Sequence, residues 1–192
     1  LGVTPDRPET GYGYIRCEPA ESGEMKVAKF VEKPDAATAQ DYVDDGRYYW
    51  NSGMFVVRAS LWLTALGQFR PDILAATRAA WDGRSVDASF VRPNKALFAA
   101  IPSESVDYAV MEQCPDAAEF DIRMVPLAAA WSDLGAWDAV WQLSDKDEAG
   151  NATTGDALLS DTRDTLVHAT SRLVGVIGLQ GVVVVETPDA VL

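Results

Sequence analysis

The chain has 192 residues, 48% of them hydrophobic, enough for one medium folded domain with a core of its own. A formal charge of −13 leaves no Lys/Arg cluster to displace counterions from phosphates, which excludes nucleic acid as a partner and reads as an acidic, solvated surface. The longest apolar runs, such as "GVVVVET" at Gly181 to Thr187, fall far short of the roughly 18 to 20 residues of a bilayer span, and no basic n-region opens the sequence, so neither a membrane protein nor an exported one is expected.

In chain order, Tyr12 to Ile15 and Val27 to Glu32 read as strands joined by a polar turn at Pro19 to Glu24. A helix is expected from Asp35, which can N-cap it, to a stop at Gly46. "GMFVVR", Gly53 to Arg58, reads as a short buried strand, and Ala59 to Phe69 and Pro71 to Trp81 as helices, with Pro71 acceptable at a helix start. Ser103 or Ser105 can cap a short helix carrying Val106, Val110 and Met111, and "FDIRMVPL" reads as a strand ending at Pro126. A turn at Ser132 to Gly135 then precedes a helix in which Trp137, Val140 and Trp141 recur at helical spacing. Interleaved strands and helices predict an α/β layer architecture over residues 1–146. "DKDEAGNATTGD", Asp145 to Asp156, reads as a polar linker, and residues 147–192 as a β-rich tail whose spacing suits a few turns of a β-solenoid. Leu1 is not an initiator methionine, and the opening reads like the middle of a fold, so a fragment is expected.

Four stretches place polar residues at element ends: "ETGYGY" from Glu9, "VEKP" from Val31, "YYWNSGMF" from Tyr48 and "WSDLGAW" from Trp131. Each sets a compact charge or amide beside glycine or aromatics, the mixture needed where a loop approaches a polyhydroxylated ligand. Glycine lets main-chain N–H groups come close, Glu and Asn bind sugar hydroxyls, and lysine meets phosphate as a point charge. Each stretch also has a plainer reading. "TGYGY" serves as a Gly-assisted turn, Glu32 and Lys33 as a solvated strand end, and Asp133 as a helix cap. The tryptophans Trp131, Trp137 and Trp141 read as core, and His168, the single histidine, as structural. Cys17 and Cys114 have no CxxC or Cys/His spacing, so neither a disulfide framework nor a zinc site is indicated, which suits a reducing cytoplasm.

Taken in order, "GVTPDRPETGYGYI", "KFVEKPD", "YYWNSGMFVVR", "SVDYAVMEQ" and "WSDLGAWDAVW" resemble the second half of bacterial mannose-1-phosphate guanylyltransferases, including the larger type that carries a mannose-6-phosphate isomerase domain. The tail "LVGVIGLQGVVVVETPDAVL" resembles the short left-handed β-helix-like segment after that family's catalytic domain. The resemblance implies a partial nucleotide-diphospho-sugar transferase (Rossmann-like) fold with a mixed sheet. It implies synthesis of GDP-mannose and pyrophosphate from GTP and mannose 1-phosphate with Mg²⁺. By motif match, Asp133 would be a metal ligand and Lys33 would meet the sugar phosphate. Glu32 would accept from mannose hydroxyls, Asn51 and the Gly53 backbone would complete the sugar pocket, and Gly11 and Tyr12 would close its other wall. The family's Gly-rich nucleotide loop is absent from these residues, and Gln113 stands where the family often has lysine. Another sugar-1-phosphate nucleotidyltransferase and a non-catalytic sugar-phosphate-binding module stay open as alternatives. An interrupted sheet would expose apolar surface, from which a homo-oligomer is expected. Glu32 and Lys33 are neighbours, and neighbouring strand residues point to opposite faces, so both can meet one ligand only if the strand kinks there.

Overall fold

The expected pairing of the first two long strands forms and organises the chain up to Trp131. The computed structural model describes residues 1–19, 23–129 and 131–192, so part of the turn foreseen at Pro19 to Glu24 lies outside the described residues. Two units are seen, Leu1–Trp131 and Ser132–Leu192.

In the first unit, β1 (Gly2–Val3), β2 (Tyr14–Cys17) and β3 (Met25–Val31) precede α1 (Ala36–Asp45) and β4 (Tyr48–Asn51). Two helices follow, α2 (Ala59–Phe69) and α3 (Pro71–Asp82), then a hairpin of β5 (Ser85–Asp87) and β6 (Phe90–Arg92). The unit continues through α4 (Lys95–Ala99), a π-helical turn (Asp107–Met111), a 3₁₀ turn (Cys114–Asp116) and β7 (Arg123–Met124). The five-stranded sheet runs β1-β4-β2-β3-β7 with antiparallel neighbours, and a parallel bridge joins Gly2 to Pro126.

Strand alternation sorts the core onto two faces. Tyr14 and Trp50 point to one side, where they pack with Val3 and with Ala39 of α1. Their neighbours Ile15 and Tyr49 point to the other, with Phe30 and Met124. Val27 and Phe30 are three apart yet share a face, because the β2–β3 register slips between Arg16 and Cys17, passing from Lys29 to Val27. A further cluster, Leu66, Ile73, Val110 and Cys114, packs α2 and α3 against the π-turn. As expected, Asp35 caps α1 by accepting from Thr38 N at 2.9 Å, and Gly46 ends it at φ 73°, a conformation that favours glycine.

Two expected strands change. Gly53 to Arg58 is not a buried strand: Val56 is 97% exposed, and residues 54–58 pair with no strand among the described residues. Its β-branched run has strand propensity, but a strand forms only where another edge supplies hydrogen bonds. "FDIRMVPL" likewise yields a strand only at Arg123–Met124, where β3 pairs with it.

The second unit opens with α5 (Trp137–Leu143) and winds β8 (Ala152–Thr154), β9 (Ala157–Ser160), β10 (Leu166–Ala169), β11 (Val174–Ile177) and β12 (Val183–Glu186) into stacked parallel ladders. One ladder is β12-β10-β8 and the other β11-β9. β8 therefore lies inside the stretch read as a linker, which is tied down rather than loose. Asp147 accepts from Ala149 N, Asn151 N and Asn151 Nδ2 at 2.9, 2.8 and 3.1 Å, and these bonds hold its carboxyl below the usual range. Asn151 in turn donates to Thr162 O at 2.9 Å, so a buried amide satisfies the turn stacked on it. Among the described residues, no helix is long and apolar enough to cross a membrane.

Candidate functional site

β3 ends at Val31 and the chain turns at once. Lys33 sits at φ 46°, a left-handed conformation that costs a non-glycine residue about 1–2 kcal/mol. Pro34, buried behind it, bars the right-handed helical region at Lys33, and Asp35 then starts α1. The kink that the geometry of Glu32 and Lys33 required is therefore present. It places Lys33 Nζ 3.7 Å from Glu32 Oε1, with the Lys33 side chain 56% exposed and that of Glu32 only 8%.

The kink removes Glu32 and Lys33 from the sheet, so their N–H groups need other acceptors. Glu32 N donates to Glu112 Oε1 at 2.7 Å, and Lys33 N donates to Tyr12 O at 3.2 Å. Asn51, at the end of β4, is buried beside them, and its N–H donates to Gly13 O at 2.7 Å. Its side-chain oxygen accepts from Gly53 N at 3.0 Å, while Nδ2 donates to Asp107 Oδ1 at 3.0 Å.

Glu32, Asp107 and Glu112 thus gather in one place, with Lys33 beside Glu32. Burial, followed by the negative charge of Asp107, raises the Glu32 carboxyl above its ordinary range, against the opposing pull of Lys33. Among the described residues, Glu32 Oε2 is buried with no hydrogen-bond partner. A buried carboxylate oxygen without a donor is costly, and a ligand hydroxyl would satisfy it.

The residues singled out in the sequence do not all meet. Glu32, Lys33, Asn51 and Gly53 come together, and Tyr12 joins through its main-chain oxygen. The Tyr12 ring packs edge-on against Trp50 and Trp131, at 5.2 and 5.3 Å between centroids. Gly11 is exposed and its N–H donates to Glu9 Oε1 at 3.0 Å, while the Gly53 N–H is engaged by Asn51, so neither amide is waiting for a ligand oxygen. The glycine that makes room is Gly13: a Cβ there would collide with Glu32 Oε2 and come within 3.2 Å of Asn51 Cβ. Gly13, Asp107 and Glu112 are the residues that reading the sequence missed. "SVDYAVMEQ" holds both acids, but five positions apart on an ordinary α-helix lie roughly 140° apart around the axis. Gln113 is exposed, at the start of the 3₁₀ turn.

Asp133 belongs to the second unit. It is exposed, and its Oδ1 accepts from Gly135 N at 3.1 Å across Leu134, itself at φ 49°. A Cβ on Gly135 would stand 2.5 Å from Asp133 Oδ2, so the glycine leaves the carboxylate a cradle. Among the described residues no three metal-binding side chains cluster. An exposed carboxylate fits a divalent ion that takes one or two protein carboxylates and completes its shell with waters and substrate phosphates. His168, half-buried, packs on Trp137 at 5.9 Å, and burial pushes both cysteine thiols up to about 11, which leaves them inert. An apolar cleft of 720 Å³, lined by Met54, Phe55, Leu61, Trp62 and Val110 among others, shares no residue with the polar cluster.

The model of the nucleotidyl transferase family matches residues 1–150. The chain belongs to that family. A second family model, the MannoseP isomerase/GMP-like beta-helix domain, matches residues 155–192, the stretch that carries the stacked ladders. The whole chain is 47% identical to the mannose-1-phosphate guanylyltransferase of Escherichia coli K12 and 50% identical to the xanthan biosynthesis protein XanB of Xanthomonas campestris, and it covers 40% of each of them. Among solved structures, a protein described as a mannose-1-phosphate geranyltransferase from Thermus thermophilus superposes over the whole chain with a TM-score of 0.79 and 32% identity, of which 53% is covered. The α/β fold with a β-rich tail is thus that of a nucleotidyltransferase, and the chain spans about 40% of the length of the curated relatives it matches.

Proposed function

We propose that these residues form the sugar-phosphate side of a nucleotidyltransferase that makes GDP-mannose and pyrophosphate from GTP and mannose 1-phosphate. The observation that carries this is the kink after β3, which turns Glu32 and Lys33 toward one side beside Asn51 and leaves Glu32 Oε2 without a donor. The name mannose-1-phosphate guanylyltransferase, carried by relatives 46 and 47% identical to this chain, agrees with it.

In the reaction, a phosphate oxygen of mannose 1-phosphate attacks the α-phosphorus of GTP in line. The bond from that phosphorus to the oxygen bridging to the β-phosphorus breaks, and pyrophosphate leaves with the electron pair. Little covalent work falls to the protein, which has to align two polyanions and offset their charge. Lys33, on its exposed side chain, meets the sugar phosphate as a point charge. Glu32 accepts from a mannose hydroxyl through Oε2, and the second Nδ2 hydrogen of Asn51 donates to another. Gly53 fixes the Asn51 amide, and Tyr12 with Gly11 forms the opposite wall. Asp133 would hold Mg²⁺, which when bound supplies charge neutralisation at the triphosphate. Free, buried Cys17 and Cys114 agree with a reducing cytoplasm as the place of action.

Pyrophosphate release by the full-length protein with GTP, Mg²⁺ and mannose 1-phosphate tests the reading. Lys33→Ala is expected to raise KM for mannose 1-phosphate roughly tenfold or more, and Asp133→Ala to cut turnover by at least about 100-fold. Equal use of glucose 1-phosphate would move the substrate to another hexose phosphate. Binding of mannose 1-phosphate without any turnover would make this a non-catalytic module.

A further inference from the structure

Asp107 and Glu112 touch the site through hydrogen bonds to Asn51 and Glu32, and the backbone between them is unusual. Over Asp107–Met111 the chain forms a π-helical turn, in which Glu112 N donates to Asp107 O at 2.9 Å. Closing the main chain from i to i+5 brings residues five apart onto the same side, which an α-helix would not do. Val110, almost fully buried in the cluster under α2 and α3, anchors the turn. The two carboxylates consequently leave the same side of one element and reach separate partners. Asp107 meets the side chain of Asn51 at the end of β4, and Glu112 meets the main chain of Glu32 at the kink after β3.

The chemistry of these bonds sets the polarity of the pocket. A carboxylate can only accept, so Asp107 obliges Asn51 to present Nδ2, and the Gly53 N–H obliges it to present Oδ1. Together they fix which way round the amide stands. What remains for a ligand is one amide N–H from Asn51 and the buried Oε2 of Glu32, a donor beside an acceptor. Glu112 fixes the acceptor in the same manner, by taking the N–H that β3 gives up at its end.

We infer that Asp107 and Glu112, delivered together by the π-turn, are positioning residues that orient the Asn51 amide and seat Glu32 for the hexose of the sugar phosphate. This rests on the reading that Glu32 and Asn51 hold the sugar.

The test is a double-mutant cycle in the full-length protein, assayed by pyrophosphate release with GTP and mannose 1-phosphate varied separately. Asn51→Ala and Asp107→Ala should each raise KM for mannose 1-phosphate roughly tenfold or more and leave KM for GTP unchanged. Because Asp107 acts through Asn51, the double variant should be no worse than Asn51→Ala alone. Asp107→Asn and Glu112→Gln keep an acceptor oxygen, so each should recover most of what its alanine variant loses. If Asp107→Ala does not fold, Asp107→Asn carries the cycle, with a smaller KM rise that again vanishes in the Asn51→Ala background. A lowered melting temperature with KM unchanged, or losses that multiply in the double variant, would reduce Asp107 to a structural residue and overturn the inference. If Asn51→Ala itself leaves KM for mannose 1-phosphate unchanged, the sugar-pocket reading fails first and the inference falls with it.

Discussion

The two units each bury a glutamate, and the two are solvated by the protein in opposite ways. In the solenoid, Glu186 on β12 is 1% exposed and saturated with donors. Thr170 N, Ser171 N, Ser171 Oγ and Arg172 N reach it at 3.1, 3.0, 2.5 and 3.3 Å, and Arg172 Nε lies 3.1 Å away. Those hydrogen bonds, led by Ser171, hold its carboxyl down at about 2. In the first unit, Glu32 has one oxygen near Lys33, the other without a donor, and two further acids nearby. Its carboxyl is held above the ordinary range. A saturated buried carboxylate fastens a fold, whereas an undersatisfied one marks a place where the fold has been left less stable than it could be, as binding sites commonly are.

Neutralising each glutamate should therefore act in opposite directions. Glu32→Gln in the full-length protein is expected to lower kcat/KM for mannose 1-phosphate by roughly 100-fold, because the pocket loses its charged acceptor. The same change should raise the melting temperature, since a Gln amide can donate to Asp107 or Glu112 where the carboxylate only repels them. A fall in both activity and melting temperature would erase the contrast with Glu186. Gly13→Ala comes next: its methyl would displace Glu32 Oε2, and a loss of roughly tenfold or more in the same kinetic parameter is expected. Unchanged kinetics for Gly13→Ala would show that the position of Glu32 is not critical.

Glu186→Gln is expected to lower the melting temperature by roughly 5 °C or more, leaving activity per folded molecule unaltered. The pH dependence sharpens the difference. Glu186 has a depressed carboxyl in the folded chain, so its stabilisation is complete above the ordinary value of 4.5 and is lost as pH falls from there to about 2. Glu32 is raised, so the folded chain binds its proton more tightly than the unfolded chain does, and stability falls as pH rises from 4.5 through the raised folded value. Melting curves of the Glu186→Gln protein should flatten on the acid side, and those of Glu32→Gln just above 4.5. The smallest effect expected concerns assembly. Exposed Val56 and the cleft beside it offer apolar surface, and sedimentation of the full-length protein at several concentrations will show whether it forms a homo-oligomer.

Much of this was legible in the residues themselves, wherever a local rule set the outcome. Asp35 and Gly46 bracket α1 because capping and the left-handed stop are decided within a few residues. "EKP" foretold the end of β3, since proline can neither extend a ladder nor let its predecessor turn helical. Where the outcome depended on a partner far along the chain, the reading failed or stayed mute. "GMFVVR" has the composition of a strand but meets no edge to pair with. Asp145 to Asp156 read as a linker because its polar residues are the same ones that satisfy a solenoid turn, and only stacking brings Asn151 under Thr162.

The sequence alone determined which residue types could bind a sugar phosphate, the punctuation of the elements that carry them, and the ordered motifs from which the family was named. Tertiary structure decided which of those residues meet. Glycine at 13 makes the room for Glu32, because the neighbouring strands β4, β2 and β3 bring Asn51, Gly13 and Glu32 side by side at their ends. Asp107 and Glu112 entered the site because a π-turn rotated them together. Volume, register and helical phase are properties of packed elements, and no single segment contains them.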